Sequence, residues 1–505
     1  MSGPRIRAFP TVVAPALASA LALVLLAGCG TRLTQDELVA MNGGTVTAVP
    51  GSEPGGAPSD ISGGVPGAVP ADPGAPAVDP NAAAPGAQPG ATPAAGGTAA
   101  RPGTTTATTA PGTGGSGGGR KSGPATAALK TDNKPLTVCS VSELGGPAGA
   151  AFAQGIAGLQ SWVGDVNSRG GVAGHKIRVV VKDSNSDPNV ALAHARTCVE
   201  NEGAVALVGS LSPLSNRGMQ KYLESKGVPS IGGDCGSSTW NDSPVFFNQC
   251  PSVESNYWML AYEAARAGTE NKKLGFLYCQ EAQTCAEGKK WWIDNQFPQK
   301  NGLELAYSKQ FSLTQLDFTS ECSAMKSAGV TVVMAVVDPS GLQRMGQSCA
   351  RQGYNPVWSQ PYASVYPDTP KKAGLGNIVL SMPVMPFDGI TGKDAQNPTY
   401  QRYLTAYQRY GDGKPPGPSA VIGFTAGLLF ERFVTEVAQK SPSVTSAALL
   451  QAASGIKKET LGGAIAPANF TTGEKTPDSK CWFLQVARDG GAFTAPNGLK
   501  QTCRK

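Results

Sequence analysis

Phe152-Ala-Gln-Gly-Ile-Ala-Gly-Leu-Gln-Ser-Trp-Val-Gly-Asp-Val-Asn-Ser-Arg-Gly-Gly171 carries apolar side chains at Phe152, Ile156, Leu159, Val163 and Val166. Gaps of 4, 3, 4 and 3 put them on one face of a helix, and the Asn-Ser-Arg-Gly-Gly ending tolerates the positive φ that stops it. Before this helix, beyond the turn Gly145-Gly-Pro-Ala-Gly149, Leu136-Thr-Val-Cys-Ser-Val141 is a β-rich run. After it, Ile177-Arg-Val-Val-Val181 predicts a second strand. Asp187-Pro188 then opens another helix, because aspartate accepts the first free amides and proline suits the first turn. Ala204-Val-Ala-Leu-Val208 is a third strand, a helix passes through Met219, Tyr222 and Leu223, and Val228-Pro-Ser-Ile231 is a fourth strand.

The alternation restarts at Leu274-Gly-Phe-Leu-Tyr278. A helix is expected around Gly288–Asn295, a strand at Leu303–Tyr307, a helix around Phe318–Ser327, a strand at Val330–Val337, and a helix through Leu342, Met345 and Cys349. Helices follow from Gln396 to about Lys457, and a last strand holds Trp482-Phe-Leu-Gln-Val486. Strand and helix alternating in this way give parallel sheets with helices on both faces. The expected fold class is α/β, with two doubly wound parallel-sheet lobes and a cleft between them.

The N-terminal segment addresses the compartment. Arg5 and Arg7 form a positive region, Ala16 to Leu26 is apolar, and Leu26-Ala-Gly-Cys29 closes it as a lipobox. Residues 1–29 therefore read as a lipoprotein signal peptide, with a diacylglycerol on the Cys29 thiol and cleavage just before it. The acyl chains would hold the chain at the cell membrane, each buried methylene contributing about 0.8 kcal/mol. Thr11 to Gly28 is almost long enough to span instead, but Pro15 and the Ala-Gly-Cys ending oppose an uncleaved anchor. Residues 30–134 are dominated by Gly, Pro, Ala, Thr and Ser and show no period. Such a stretch cannot offset its chain entropy by burial and reads as a disordered tether. As a flexible coil of ~100 residues it spans about 50–60 Å. Within it, Gly117-Gly-Gly-Arg-Lys-Ser122 lacks the residue order and the preceding strand of a phosphate loop.

Charge and cysteine content exclude several functions. The net charge of +6 falls to +4 once Arg5 and Arg7 are cleaved away, and the remaining basic residues form no stripe, so nucleic acid is not an expected partner. Eleven cysteines less Cys29 leave Cys139, Cys198, Cys235, Cys250, Cys279, Cys285, Cys322, Cys349, Cys481 and Cys503. An even number outside the cytoplasm reads as disulfides, with neighbour pairs Cys279–Cys285, Cys235–Cys250, Cys322–Cys349 and Cys481–Cys503 the first expectation. Two histidines and no Cys-x-x-Cys pair argue against zinc or any other metal. Asp183, Asn185 and Asp187 alternate like a calcium loop, but Pro188 and His194 stand where its Gly and Glu belong; a strand end and a helix cap are expected. Cys235 lies in Gly232-Gly-Asp-Cys-Gly-Ser-Ser238 with Ser237 where a nucleophile elbow needs Gly, and His175 and His194 both precede it. The chain is therefore not expected to be an enzyme, a hydrolase being the remote alternative, and no cofactor is implied.

Open α/β sheets bind ligands in the loops after their strands. Here these loops are Ser210–Ser215, Gly232–Thr239, Gln280–Thr284 and Gln360–Ser364, rich in small polar residues that suit a small polar ligand. Asp165-Val-Asn-Ser-Arg-Gly-Gly-Val-Ala-Gly-His-Lys-Ile177, Lys182-Asp-Ser-Asn-Ser-Asp-Pro188, Ala204-Val-Ala-Leu-Val-Gly209 and Gly227-Val-Pro-Ser-Ile231 occur in that order. Together they resemble the type I periplasmic binding proteins, in particular the leucine/isoleucine/valine-binding class of importer components, and the resemblance runs more weakly to Lys505. It implies two lobes joined by a three-strand hinge that close on a ligand. It places 135–253 and 386–466 in lobe 1, and 254–385 with most of 467–505 in lobe 2.

The same resemblance implies ligand contacts. The loop that holds an amino-acid carboxylate aligns with Leu211-Ser212-Pro213-Leu214, where Pro213 replaces a serine and offers neither amide nor hydroxyl. A second carboxylate loop aligns with Cys235-Gly236-Ser237. The acidic residue that pairs with the ammonium falls near Tyr362, and a lobe 2 tyrosine falls near Cys285. An ammonium buried without a counter-charge would cost several kcal/mol. Asp338 is the available carboxylate, although Asp338-Pro339 also reads as a helix cap. Phe152, Trp358, Tyr362 and Tyr366 offer an aromatic wall instead. The expected ligand-binding set is Phe152, Ser212, Leu214, Cys235, Gly236, Ser237, Gln280, Asp338, Tyr362 and Ser364. The expected function is capture of a branched-chain amino acid, an amide or a small carboxylate for delivery to an importer's permease with its cytoplasmic ATPases. Presentation of the bound solute to a membrane receptor is the alternative.

Overall fold

A computed structural model describes residues 129–504 apart from 147, 269, 270 and 282. The signal peptide, Cys29 and the tether up to residue 128 lie outside the described residues. Lys130 to Lys134, grouped with the tether on composition, are hydrogen-bonded: Lys130 N donates to Ala438 O at 2.8 Å and Asp132 N to Pro442 O at 3.0 Å.

The first sheet contains β1 (Leu136–Ser142), β2 (Ile177–Asp183), β3 (Ala206–Ser210), β4 (Ser230–Gly233) and β5 (Phe246–Phe247) in the order β2-β1-β3-β4-β5, all parallel. Between them run α1 (Gly149–Ser168), α2 (Pro188–Arg196) and α3 (Asn216–Lys226). α1 buries Phe152, Ile156, Leu159 and Val166, the face that its spacing sets. Asp187 caps α2 by accepting from Asn189 N and Val190 N, and Asp183 accepts from Leu144 N, Gly145 N and Asn185 N. Both carboxylates are thus used to shape backbone, as the strand-end and cap reading requires.

After Phe247 the chain passes into α4 (Val253–Ala264) and a second sheet. Its strands are β6 (Lys273–Cys279), β7 (Glu304–Phe311), β8 (Val332–Val336), β9 (Val357–Pro361), β10 (Ile378–Met382), β11 (Cys481–Ala487) and β12 (Thr502–Cys503), ordered β12-β11-β10-β9-β8-β6-β7. β6 to β10 are parallel, whereas β11 runs antiparallel to both its neighbours β10 and β12, so the second sheet departs from the all-parallel expectation at one edge. α5 (Gln283–Lys289), α6 (Thr319–Ser327) and α7 (Pro339–Ala350) flank it. α5 begins earlier than the helix expected at Gly288, and continues as a wider turn over Lys290–Asp294.

The chain returns to the first lobe through Val384, which pairs antiparallel with Ile465. There α8 (Pro398–Tyr410), α9 (Pro418–Ala438) and α10 (Ser446–Ala452) add to the first sheet's helical layer before the last crossing to β11. α9 is buried nearly all round, as a helix apolar on every face must be. It lies close against α1, where a methyl added at Gly158 would be driven into the carbonyl oxygen of Ala420, and one at Gly423 into that of Gly155. Gly158→Ala gains up to about 1 kcal/mol in helix propensity, but the clash is with rigid backbone and overpacking costs about 1–3 kcal/mol or more. Net destabilisation is expected, checked by the midpoint of urea unfolding.

The five neighbour-scale and long-range pairs Cys139–Cys198, Cys235–Cys250, Cys279–Cys285, Cys322–Cys349 and Cys481–Cys503 are all disulfides. Four match the expected pairing; Cys139–Cys198 joins β1 to the turn after α2 over a separation of 59 residues. Among the described residues, no helix is long and apolar enough to cross a membrane.

Candidate functional site

In each sheet the first strand sits between its second and third: β1 between β2 and β3, β6 between β7 and β8. At such a switch point the connections diverge to opposite faces and leave a crevice beyond the strand ends. The two crevices face one another across a shared cavity whose empty space, with the part open to solvent, is about 870 Å³. Ala151 and Phe152 of α1, Pro213 and Leu214 after β3, and Cys235 and Gly236 after β4 wall it from the first lobe. The second lobe contributes Cys279 after β6, Val337 and Asp338 after β8, and Pro361 to Ser364 after β9. α4 forms the floor with Val253, Asn256, Tyr257 and Leu260.

The lobes are closed on one another. Thr284 Oγ1 donates to Gly236 O at 2.8 Å, Cys235 N donates to the Tyr362 hydroxyl at 3.3 Å, and the Tyr366 hydroxyl donates to Ala150 O at 2.5 Å. Asn256 Nδ2 donates to Cys235 O and Pro251 O.

Two buried carboxyls hold the first lobe's loops in shape. Glu143, directly after β1, accepts from Leu214 N at 2.7 Å, Ser215 N at 3.0 Å and Ser215 Oγ at 3.1 Å. Asp234, directly after β4, accepts from Trp240 Nε1, Gly236 N, Ser212 N and Asn216 Nδ2. Burial pushes the Glu143 carboxyl up to about 8, against its hydrogen bonds, and the nearby Asp234 charge adds to the rise. Burial also pushes Asp234 up to about 6, although its four donors pull the other way. The cost of taking charge out of water outweighs the donors in both. Asp338 accepts from Ser340 N at 3.0 Å and Gly341 N at 3.2 Å as the cap of α7, and burial raises its pKa too.

Of the residues singled out from the sequence, Phe152, Leu214, Cys235, Gly236, Asp338, Tyr362 and Ser364 line the cavity. Ser212, Ser237 and Gln280 do not. Ser212 is fully buried in the loop gripped by Asp234, the Ser237 hydroxyl is turned to Asn216 Oδ1 and Thr239 Oγ1, and Gln280 is exposed with its amide on Glu281. Within the aromatic set, Trp358 is buried with its indole N–H on Gly374 O, and Tyr366 lines a separate groove. Cys235 is bonded to Cys250 and has no thiol, which removes the nucleophile on which the hydrolase alternative rests. The loops are polar in sequence, yet the wall they build is apolar, because their polar atoms bond each other and turn methylenes and rings inward.

Glu143, Asp234 and Asn256 were not singled out from the sequence. Glu143 and Asp234 were legible as acids immediately after short apolar strands, where ligand loops begin. Asn256 sits on α4 beside Val253, Tyr257 and Leu260, a polar position bordering an apolar face.

A model of the periplasmic binding protein family matches residues 135–492. The Leu/Ile/Val-binding protein homolog 7 of Brucella abortus (strain 2308) is 23% identical over 349 residues, covering 67% of this chain and 84% of its own. A possible leucine/isoleucine/valine-binding protein from Rhodopirellula baltica SH 1 shares the fold with a TM-score of 0.60 at 14% identity, covering 73% of this chain and 98% of its own. A fatty acid ABC transporter substrate-binding protein from Thermomonospora curvata does so with a TM-score of 0.59 at 17% identity, covering 73% and 94%.

Proposed function

We propose that this chain, which belongs to the periplasmic binding protein family, is anchored outside the cell through Cys29, captures a small solute between its lobes, and hands it to the permease of an ABC importer driven by cytoplasmic ATPases. It is an extracytoplasmic solute-binding protein of the kind that serves ABC transporters. The observation that carries the reading is a cavity walled by the switch points of both sheets, with hydrogen bonds from lobe to lobe around it. A molecule enclosed there touches both halves at once and so favours the closed form over the open one. That difference in affinity is what shifts the population and gives a permease a loaded shape to recognise.

A thermal-shift screen of a broad metabolite panel is expected to find compounds that raise the melting temperature. The same compounds should reduce the radius of gyration in X-ray scattering, and the absence of both effects across the panel would defeat the proposal. Closure itself is open to mutation. A Cβ at Gly236 has room, with Pro213 Cβ at 3.5 Å and Thr284 Oγ1 at 3.8 Å, but a longer side chain must lie where the lobes meet. Gly236→Leu is expected to leave the unliganded melting temperature nearly unchanged and to weaken solute binding by about tenfold or more, through lost closure. Lipidation is read separately, as a mass increase on the N-terminal peptide that Cys29→Ala abolishes.

A further inference from the structure

We infer that the solute is uncharged: an apolar body carrying one amide or hydroxyl group, and not a zwitterion or a carboxylate. This rests on the interlobe cavity being the solute site, and it narrows the class that the site takes.

The first argument is that the donors a carboxylate needs are already in use. Through the loop after β3, Ser212 N serves Asp234, Leu214 N and Ser215 N serve Glu143, and Pro213 has no N–H. In the loop after β4, Cys235 N serves Tyr362 and Gly236 N serves Asp234. The protein's own two carboxyls and the Tyr362 hydroxyl thus occupy these amides, leaving them unavailable to an incoming carboxylate. Among the described residues that line it there is no lysine, arginine or histidine, and the single charged one is the acid Asp338. An anion enclosed here would lose its hydration and meet only a like charge.

The second argument concerns cations. Asp338 faces the cavity, but both its oxygens accept amides of α7, with Arg344 close enough to add its positive field. That carboxylate is committed to capping α7, and the described lining holds no second acid to share an ammonium's charge.

The third argument is positive. Asn256 lines the cavity and is 8% exposed. Its Nδ2 faces two carbonyls, which fixes the amide's orientation, and its Oδ1 is a buried acceptor with no partner among the described residues. On the other side of the same Cys235 backbone, the Tyr362 hydroxyl accepts from Cys235 N and keeps its own proton to give. An unpaired acceptor and an available donor, both tied to one residue's backbone, are what a single amide or hydroxyl satisfies, since each can donate and accept at once. The rest of the wall (Phe152, Leu214, Val253, Leu260, Val337) receives hydrocarbon.

The test is calorimetric titration of the whole protein with matched probes that share one hydrocarbon body. One series is isovaleramide, isoamyl alcohol, isovalerate, isoamylamine and leucine; a second is hydrocinnamamide, hydrocinnamate and phenylalanine. The neutral members are expected to bind about tenfold or more tightly than any charged member of their series. In Asn256→Leu the amide should lose that advantage over the carboxylate. The comparison on the unaltered protein stands even if this variant does not fold. A carboxylate, amine or amino acid that equals its neutral counterpart overturns the assignment and leaves solute capture standing. No binding by any probe overturns the assignment too, and native mass spectrometry of the purified protein then decides separately whether a solute is carried at all.

Discussion

Raising the pH from about 5 to about 8 is expected to destabilise the protein by several kcal/mol, and Glu143→Gln is expected to remove most of that loss. Glu143 is fully buried, and burial raises its pKa from 4.5 to about 8. An acid with a raised folded-state pKa gives its full stabilisation below the unfolded value. As pH climbs through the window between the two values, the unfolded chain releases the proton while the folded one keeps it, so unfolding gains. Each unit of that window is worth up to about 1.4 kcal/mol, which makes the whole on the order of 5 kcal/mol. Asp234 adds a loss of the same sign between 3.8 and about 6. Glutamine keeps an acceptor for Leu214 N and Ser215 N without a titrating group, so its melting temperature should exceed the parent's at the alkaline end and match it at the acid end. Glu143→Leu strips those donors of their partner and should lower stability at every pH, at about 1–3 kcal/mol for each buried donor left unpaired. Parallel pH curves for the parent and Glu143→Gln would show that this carboxyl does not set the slope.

The second large effect is expected from the longest disulfide. Cys139 and Cys198 are fully buried, on β1 and in the turn after α2, 59 residues apart. Removing a cross-link of that span releases about 4 kcal/mol of loop entropy to the unfolded chain. Cys139→Ala with Cys198→Ala should therefore lower stability by about that amount in urea titrations while leaving solute affinity intact, because neither residue reaches the cavity. Cys279–Cys285 gives the converse case. Its separation of 6 makes it worth only about 2 kcal/mol. It secures the start of α5, where Thr284 reaches Gly236 O, so its loss should register mainly as weaker closure. Equal effects on affinity from the two double variants would count against this division.

The fold was legible because its signals are local. The helical spacing over Phe152 to Val166, the Asp-Pro caps at 187 and 338 and the β-branched run at 177–181 each fix an element without outside help. β9 and β10 escaped notice. Val357-Trp-Ser-Gln-Pro361 has two polar residues and a proline, and both strands become strands only because the sheet's interior is there to receive them. The antiparallel β11 has no signal of direction in its own residues, since direction follows from where the last crossing enters the sheet. The site was legible in its backbone and not in its chemistry. Pro213 takes one amide out of its loop, whereas counting serines around it suggests a polar wall that the cavity does not have. Ser212 and Ser237 face away because Asp234 and Asn216 hold their neighbourhood, and that depends on contacts between segments 18 to 22 residues apart.

Lys130 and Asp132 clip the start of the described chain to the end of α9 and the turn beyond it, on the first lobe. Any pull transmitted along the polypeptide from upstream therefore enters that half alone. Those two bonds do not hold the other half, so it can swing without working against them.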